Sequence, residues 1–599
     1  MDFTATSIRR VATTTCGLLA LAWASGAAAT VYYVAPGGNG NGSSSTPWGT
    51  LQAAVASTSP VQSGDTIVVR AGTYALSSAV SFGKSGSVGN PITLVAEAGV
   101  VLNVSPSSTP DAALDLNKVH DWVIDGFRLN EASRYGIALH GCTNITVQNC
   151  YVYRAQASGI IVNVSNWGTD DIYPVPQNWN IKILNNTFDQ ANWNLGDNEA
   201  ISLWATDGFE IAGNTVAHCR HEGIDVKTGS RNGSVHHNTV VDDYDLWPGT
   251  GMGVYIDGWH YETFNIDVYD NVVHDSEEGF EINCEDCNKP GTSGSVHDIR
   301  IFNNVVYHNT DIQNSGWKGR GMSFFDCCDT GPHPVHDVHV FNNTFVGSQR
   351  LGIHVDNPAI QNLFIRNNII VNNGSADVQI DHATSVTVQN NLLSKPVSNA
   401  VGTTVIASGN SVADPQFVNA ASNDYHLLSG SPAIDQGAGT DVATTDFDGK
   451  TRPVGPAADL GALEYGAAYG SGGTTGRGGA MGGGGMIGSG GATGTGGRPG
   501  TGGASGSGGA SATDTGGNGS SQNPTSSGCS CRTTGGADSH WPVTAGLGFA
   551  SMLRCWRRRR RARLSAALGV HGQPPMGPTR PDLTTYPSEH APSGDAQIR

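Results

Sequence analysis

The chain has 599 residues, of which 81 are glycine and only 14% are charged, and its formal net charge at pH 7 is −18. An acidic surface disfavours nucleic acid as a partner, although it does not exclude a polyanion whose contact a metal ion mediates. Abundant glycine with few charges favours a β-rich, loop-rich protein.

The N-terminal residues carry the pattern of a secretory signal. Arg9 and Arg10 precede an apolar run over 11–25, and the alanines at 27–29 are the small residues at which such signals are cleaved. We therefore predict that residues 1–29 are a signal peptide and that the protein is exported.

From residue 30 to residue 465 the sequence repeats. Paired asparagines followed by two β-branched or apolar residues recur, as at 303–306, and a small residue followed by alternating apolar positions recurs, as at 223–226. Asparagine tolerates left-handed turns and stacks in hydrogen-bonded ladders, so it marks the corner of a coil. The second pattern returns after 23 residues at its tightest, and gaps of 41 and 42 residues indicate loop insertions. These features predict an all-β chain that folds as a single-stranded right-handed parallel β-helix, a solenoid.

Both ends of this region add a family resemblance. The segments 32–38, 48–54 and 64–69 resemble the amphipathic cap and first coil of bacterial pectate-lyase-like β-helix proteins. The end of the region, at 414–417 and 459–465, resembles the closing segment of surface-anchored members. The resemblance implies a β-helix domain over 30–465 whose closing segment begins at about 410, and it leaves the function open.

Aligning the coils on the small residue predicts which side chains share a face. Residues one and three positions after it point into the core, so residues one before, two after and four after are expected to face solvent. Equivalent residues of stacked coils lie about 4.8 Å apart. In the middle coils the outward columns gather carboxylates around one lysine: Lys227 with Glu199, Glu222, Asp225, Asp257, Glu278 and Glu281.

Carboxylates at this spacing repel one another, which predicts a counter-ion or a function. Hard cations prefer carboxylate oxygens, so we predict a Ca²⁺ ion held by Glu199, Glu222 and Asp225. A solvated acidic face with screened charges is the alternative.

The chemistry that fits a lysine beside such a cation is β-elimination on a uronic acid. The cation acidifies the α-proton of the substrate, and Lys227 removes it. Tyr255 or Arg320 is expected to donate a proton or clamp the substrate carboxylate. The expected substrate-binding residues are Trp204, Asp257, Glu281 and His354, with Trp204 stacking on a sugar ring.

A local resemblance supports this assignment. The run 222–227 is similar to the stretch of β-helix alginate and chondroitin lyases in which a calcium-binding glutamate precedes the catalytic lysine by five residues. It implies that Glu222 is a calcium ligand and Lys227 the base. We therefore predict a Ca²⁺-dependent lyase acting on an acidic polysaccharide. One alternative is an inverting glycoside hydrolase that uses Asp225 and Glu281, about 9.6 Å apart by twice the coil spacing; another is a non-catalytic surface adhesin.

The histidines and cysteines show no paired zinc spacing. Most histidines are expected at solvated coil positions. In an exported protein, a disulfide that joins the loop at 284–287 to the loop at 327–328 is predicted. Cys142, Cys150 and Cys219 are expected to be core or paired cysteines.

The C-terminal 134 residues differ in composition from the repeats. Residues 466–527 are mostly small, so they are predicted to form a flexible linker. The Cys-x-Cys at 529–531, a mildly apolar stretch and an arginine cluster resemble the C-terminal sorting signals of myxobacterial surface proteins. The resemblance implies a sorting signal at 528–563 and attachment to the outer cell surface. Residues 564–599 extend beyond the point where such signals stop and are predicted to be a disordered tail, and the protein is expected to be a monomer. A disordered basic tail is the alternative.

Overall fold

The computed structural model describes residues 29–104, 111–165, 172–193, 199–241, 251–312, 316, 318–325, 331–383, 385–400 and 402–466. The chain divides into two units, Met1–Ala537 and Asp538–Arg599, and every described residue belongs to the first. The predicted signal peptide up to residue 28, the linker from residue 467, the sorting signal and the tail lie outside the described residues and stay predictions. Within the described ranges, no helix combines the length and apolar character that a bilayer crossing requires.

The described residues form short strands with one five-residue helix, α1 (Leu51–Val55), near the start and one 3₁₀ turn, Ala420–Ser422, near the end. The strands of the first half are β1 (Val31–Val34), β2 (Thr66–Val69), β3 (Gly72–Leu76), β4 (Val80–Ser81), β5 (Ile92–Ala96), β6 (Val100–Val104), β7 (Ala112–Asn117), β8 (His120–Asp125), β9 (Arg128–Asn130), β10 (Tyr135–His140), β11 (Thr143–Gln148), β12 (Tyr151–Tyr153), β13 (Ile160–Asn163), β14 (Asn178–Leu184), β15 (Thr187–Asp189), β16 (Ile201–Trp204), β17 (Thr206–Ala212), β18 (Thr215–Ala217), β19 (Ile224–Lys227), β20 (Arg231–His236) and β21 (Thr239–Val241). Those of the second half are β22 (Met252–Asp257), β23 (Tyr261–Tyr269), β24 (Val272–His274), β25 (Glu278–Asn283), β26 (Ser293–Phe302), β27 (Val305–Tyr307), β28 (Arg320–Phe325), β29 (Val335–Phe341), β30 (Thr344–Val346), β31 (Leu351–Asp356), β32 (Gln361–Arg366), β33 (Ile369–Val371), β34 (Ala376–His382), β35 (Val386–Gln389), β36 (Leu392–Leu393), β37 (Ser398–Asn399), β38 (Val405–Ser408), β39 (Ser411–Val412), β40 (Phe417–Asn419) and β41 (Asp424–Leu427).

The strands stack into three long parallel sheets. Sheet A contains β1 and then every third strand from β2 to β38, sheet B every third strand from β3 to β39, and sheet C every third strand from β4 to β37. Each coil therefore contributes one strand to each sheet, and successive coils pair only with their neighbours. The prediction of an all-β parallel solenoid is confirmed.

The core is built from stacked apolar columns. In sheet C the residue after each small residue points inward, and the coils pair in the predicted register, with Ile201 beside Ile224 and Ile224 beside Val254. All three side chains are fully buried. The small residue itself is required by close packing, because a Cβ added at Gly223 would lie 2.5 Å from Val240 Cγ1 of sheet B.

The paired asparagines form the predicted corners. The first residue of each pair adopts a left-handed conformation, as Asn303 does with φ 54°. The second is buried and continues a ladder in which the side-chain amide of one coil donates to the side-chain oxygen of the next, as Asn304 Nδ2 does to Asn343 Oδ1 at 2.9 Å. The ladder fixes the coil spacing along one edge.

Additional elements cover the first coil and part of sheet B. Helix α1 lies at the first coil, where Thr50 accepts a hydrogen bond from Ala53 N as the N-cap. The closing segment after β39 contains the antiparallel pair β40–β41. It packs Tyr425, Leu427 and Leu463 against apolar side chains of sheet B.

Candidate functional site

The acidic residues of the middle coils lie on sheet C, in the columns that the coil alignment predicts. Ser202, Asp225, Tyr255 and Glu281 are successive partners in one column. The next outward column begins with Trp204, whose partner is Lys227; Asp257 and Asn283 follow. The parallel register of β16, β19, β22 and β25 therefore assembles the cluster.

These outward columns are buried, which corrects the expectation that they face solvent. Asp225 and Glu278 are fully buried, and Glu199, Glu281 and Tyr255 are no more than 4% exposed. Period-two alternation distinguishes the two faces of a strand but does not reveal whether the outer face is covered. The side chains of Lys227 and Glu222, at 13% and 12% exposure, lie closer to solvent.

Lys227 is the charged centre of the cluster. Its Nζ lies 2.5 Å from Glu199 Oε1, to which it donates a hydrogen bond, and 2.5 Å from Asp225 Oδ2. The same Nζ lies 5.2 Å from the ring centroid of Trp204, within cation–π range. We define the Lys227 cluster by the residues that it contains: Lys227, Glu199, Asp225, Trp204, Glu222, Asp257 and Glu281.

The residues of the Lys227 cluster shift one another's pKa values. Burial lowers the pKa of Lys227, but the carboxylates around it, Asp225 foremost, raise that pKa well above its usual value. Burial raises the pKa of Asp225 well above its usual value, with further increases from Glu199 and Glu222. Burial also raises the pKa of Glu222, yet His221, whose Nδ1 lies 3.6 Å away, and the nearby lysines bring it down to about 2.

Two further carboxyl groups extend the cluster toward later coils. Burial, then Glu285 and Asp225, raise the pKa of Asp257 well above its usual value, while Asp257 Oδ1 accepts a hydrogen bond from Glu285 N at 2.9 Å. Burial and the neighbouring Glu278 raise the pKa of Glu281 to about 8. Near neutral pH the site therefore holds a protonated Glu281 and an ionised Glu222.

Arg320, predicted as a catalytic residue, lies on the coil after Glu281 and is paired with protein. Its Nη1 lies 3.3 Å from Glu278 Oε1, and its guanidinium lies 4.7 Å from the ring centroid of Phe325. The other oxygen of Glu278 accepts a 2.5 Å hydrogen bond from Ser323 Oγ. A buried arginine held in this way is a fixed positive charge next to the cluster.

Of the predicted substrate-binding residues Trp204 and His354, only Trp204 lies at the Lys227 cluster. Trp204 belongs to the cluster, since its Nε1 donates to Ser202 Oγ at 2.8 Å and its ring packs edge-on against Trp259. His354 lies two coils beyond Glu281 in the same column, where it contacts Asp381. The structure therefore does not bring His354 together with Lys227.

Two of the three predicted calcium ligands, Glu199 and Asp225, contact the Lys227 ammonium. Asp225 is fully buried, and neither of its oxygens has an aligned hydrogen bond among the described residues, which suits a cation ligand. The position beside Asp225 and Glu199 is, however, filled by the Lys227 ammonium. Among the described residues, the group whose donor atoms lie close enough together to hold a metal ion consists of His354, Asp356 and Asp381. The calcium ion stays a prediction.

A second buried ion pair, next to the Lys227 cluster, could not be found by aligning the coils of the sequence. Glu277 is 3% exposed, burial raises its pKa to about 7, and Lys318 Nζ lies 3.9 Å from its Oε2. Both residues precede the strands β25 and β28, so they fall outside the alternating columns. Their burial could be recognised only once the coils were stacked.

The predicted disulfide between two loops is wrong. Cys284 is bonded to Cys287 in the same loop, so neither thiol remains for the loop at 327–328, which lies outside the described residues. Cys142 and Cys150 are free, buried cysteines, and Cys219 is buried. The expectation of solvated histidines fails at His260 and His333, which are buried.

Two family models match parts of the chain. Residues 32–220 match the Pel9A-like, right handed beta helix region, and residues 151–317 match the periplasmic copper-binding protein (NosD) family. No curated protein matches the chain.

The chain is similar to several solved structures at low sequence identity. Pectate lyase Pel9A is 16% identical, with 73% of this chain and 96% of that chain covered and a TM-score of 0.37. The A-module of the Azotobacter vinelandii mannuronan C-5 epimerase AlgE6 is 12% identical, with 59% and 92% covered and a TM-score of 0.40. The GH136 lacto-N-biosidase from Eubacterium ramulus is 10% identical, with 64% and 67% covered and a TM-score of 0.40.

Proposed function

We propose that this right-handed parallel β-helix protein is an exported enzyme that cleaves an acidic polysaccharide by β-elimination at the Lys227 cluster. The Pel9A-like match ends at residue 220, directly before the strand that carries Lys227. A periplasmic name for the second matching family is consistent with export.

The observation that carries this proposal is the position of Lys227. It is a nearly buried amine, it lies at the centre of stacked carboxyls, and it is beside an indole ring that is half-buried. In β-elimination a base takes the proton α to the uronate carboxyl, the electron pair forms a double bond, and the bond to the leaving sugar oxygen breaks. When its ammonium group loses a proton, Lys227 becomes a neutral amine, which is a strong base.

The neighbouring residues supply the remaining roles. Arg320 is a fixed guanidinium that can hold the uronate carboxylate. Tyr255, one coil after Asp225 in the same column, would return a proton to the leaving oxygen. Trp204 supplies a face on which a sugar ring can stack. A bound Ca²⁺ would acidify the substrate α-proton, and Glu199 and Asp225 would be its ligands only after releasing Lys227.

The test is product identity. The full-length protein is incubated with polygalacturonate, alginate and chondroitin sulfate, with and without chelator, while the ultraviolet absorbance of unsaturated uronate and the appearance of new reducing ends are recorded. We expect both signals to rise together on one polymer. Loss of both in chelator would support the calcium prediction, and undiminished activity would contradict it.

The decisive variant is Lys227→Arg. Arginine preserves the positive charge between Glu199 and Asp225, but it stays protonated at all accessible pH values and cannot act as a base. We expect a loss of about 10²–10⁴-fold in elimination rate, the usual contribution of a general base. Lys182→Arg on the outer face of sheet A is the matched control and is expected to retain full activity. An active Lys227→Arg protein would rule out Lys227 as the base.

A hydrolase is the second candidate because of one specific observation. Asp225 and Glu281 are two coils apart in one column, and both have raised pKa values, while Glu222 is ionised. Carboxyl groups whose pKa values are driven apart are suited to acid and base roles in inverting hydrolysis. New reducing ends without ultraviolet absorbance would favour this function, and binding without either signal would favour an adhesin.

A further inference from the structure

A second cluster lies on sheet C beyond the Lys227 cluster, where β31 meets β34. It consists of His354 and Asp356 on β31 and Asp381 on β34, each offering one donor atom, and these three atoms lie within 4.8 Å of one another. None of the three contacts Lys227, and the proposed cleavage does not use them in this arrangement. Two strands contribute to the cluster, so it is held by the fold and not by one flexible loop.

A β-bulge creates this cluster. The pairing of β31 with β34 shifts between Val355 and Asp356, so that Val355 is beside Ile380 but Asp356 is beside His382. Asp381 is the extra residue, and after the buried Ile380 both Asp381 and His382 lie outside the core. Bulges recur next to functional sites because they redirect a side chain. Here the bulge directs a carboxylate toward His354.

The donor separations suit a small metal ion. His354 Nε2 lies 3.1 Å from Asp381 Oδ2. Two ligands of tetrahedral zinc at about 2.0–2.1 Å from the metal are about 3.3–3.4 Å apart, so this pair already has nearly the required spacing. The widest pair, within 4.8 Å, has to close by at most about 1.4 Å, which a carboxylate rotation supplies.

The surrounding residues orient the donors. Gln379 Nε2 donates to both oxygens of Asp381, each at 3.0 Å, and Nδ1 of His382 contacts Asp356 Oδ1. His354 is 6% exposed, lies edge-on to the Phe325 ring, and has an Nδ1 with no hydrogen-bond partner among the described residues. Supporting contacts of this kind fix metal ligands in position.

We propose that His354, Asp356 and Asp381 form a binding site for a divalent transition metal of the Zn²⁺ class. An imidazole with two carboxylates suits zinc-like ions, whereas calcium takes six to eight oxygen ligands and no imidazole. His382, exposed and beside Asp356, is available as a fourth ligand. The site is separate from the proposed cleavage centre, and its existence does not depend on that function.

The test is binding of Zn²⁺ to the full-length protein and to three variants. Competition with a chromophoric chelator counts the zinc equivalents bound at neutral pH, and Co²⁺ substitution reports a tetrahedral site by its visible absorption. We expect Asp381→Asn and His354→Gln to lose one equivalent, or to bind it about 100-fold more weakly, together with the cobalt absorption. Ca²⁺ in excess is expected not to displace the zinc.

The matched control is Asp337→Asn. Asp337 also pairs with a histidine, since His336 Nδ1 lies 2.8 Å from its Oδ2, but it belongs to sheet A and to no three-ligand group among the described residues. This variant is expected to keep every zinc equivalent. Because the chain has 19 histidines, unspecific binding would be unaffected by all three substitutions, and that result would overturn the proposal.

Crystallography removes dependence on the folding of the variants. Crystals of the wild-type protein soaked in Zn²⁺ are expected to give an anomalous difference peak between His354 and Asp381. Zinc located only elsewhere would contradict the site. Displacement of the zinc by Ca²⁺ would contradict its assignment to the transition-metal class, and neither result bears on whether the Lys227 cluster cleaves polysaccharide.

Discussion

Lys227 provides the positive charge that Glu199 and Asp225 require once they are buried. Both carboxylates lie 2.5 Å from its Nζ, and the lysine side chain is 13% exposed. A buried ion pair of this kind adds little net stability over an apolar replacement of the whole group, but removing one partner leaves an uncompensated charge. The lysine is therefore structural as well as being the proposed base.

Lys227→Met is expected to lower the free energy of unfolding by about 3–5 kcal/mol at neutral pH, because the nearby carboxyls lose their counter-charge. The deficit should shrink as the pH falls and those carboxyls become protonated. The matched control is Lys182→Met, which removes an exposed pair with Glu210 at 2.7 Å and should cost about 0–1 kcal/mol. Denaturant unfolding at several pH values measures both. Equal losses in the two variants would show that the Lys227 ion pairs behave as surface pairs.

The pH dependence of cleavage separates the two candidate reactions. Elimination needs neutral Lys227, and its carboxylate neighbours raise its pKa well above the usual value, so the rate should rise continuously with pH into the alkaline range. Hydrolysis needs a protonated carboxyl, and the pKa of Glu281 is raised to about 8, so its rate should fall above about that pH. Initial rates measured on the cleaved polymer between about pH 5 and about pH 10 decide between the two candidate reactions. An elimination rate that declines in alkali would contradict the role given to Lys227.

The columns of the candidate site could be predicted from sequence, but the environment of those columns could not. Stacking on the small residue correctly places Asp225, Tyr255 and Glu281 in one line. Their burial depends on what covers the outer face of sheet C, and local alternation contains no information on that. The same limit explains why exposed carboxylates were expected at residues whose pKa values are strongly shifted by burial.

Asparagine ladders determine the edge between sheets A and B. Each buried member accepts from the amide of the previous coil and donates to the next, and it also donates to backbone carbonyls. Asn304 accepts from Asn271 N and Nδ2 at 3.0 and 2.9 Å and donates to Val268 O at 2.9 Å. The bonds between these side chains exist only because the neighbouring coil carries the same residue.

Asn304→Ala is expected to destabilise the chain by about 2 kcal/mol, since it removes the acceptor of the buried Asn271 N–H and the side-chain hydrogen bond to Val268 O. Asn410→Ala is the matched control at the end of the same ladder, where the side chain is half-buried and its loss should cost less. Thermal and denaturant unfolding of both variants provide the comparison. A larger loss from Asn410→Ala would indicate that the ladder does not stabilise the interior coils.

Strands and corners were predictable because each follows from a short local pattern. The asparagine pairs and the small residue of sheet C recur in sequence, and the structure places them at the expected corners and strand starts. The bulge at Asp381 was not predictable, because one inserted residue in Val378–His382 leaves the apolar alternation before it intact. The candidate metal cluster depends on that bulge, and its ligands come from coils that are 25 to 27 residues apart in the sequence.

At the scale of the whole molecule, stability is a sum of contacts between successive coils, and the exposed flank needs a cover. The closing segment after residue 412 covers part of sheet B, with Tyr425, Leu427 and Leu463 in its apolar contact. Because a solenoid lacks contacts between distant coils, such a cover can open as a separate unit without unfolding the remaining coils.

The closing segment is attached through a buried arginine. Arg452 Nε lies 2.9 Å from Glu464 Oε2, Nη2 donates to Gly461 O at 3.2 Å, and Nη1 donates to Asn303 Oδ1 at 3.3 Å. Both members of the Arg452–Glu464 pair are fully buried. The interaction with Asn303 joins the segment to the corner of a middle coil, so Arg452 connects two elements that are 149 residues apart in sequence.

Arg452→Met is therefore expected to destabilise the closing segment by about 3–5 kcal/mol, since it leaves Glu464 buried without a counter-charge. Hydrogen exchange followed by mass spectrometry should show faster exchange over 413–465, while the coils before β20 keep their protection. The matched control is Arg300→Met, which removes a largely exposed pair with Asp267 and should leave exchange unchanged. Uniformly faster exchange along the whole solenoid in Arg452→Met would show that the cover and the coils unfold together, and that the closing segment is part of one cooperative unit.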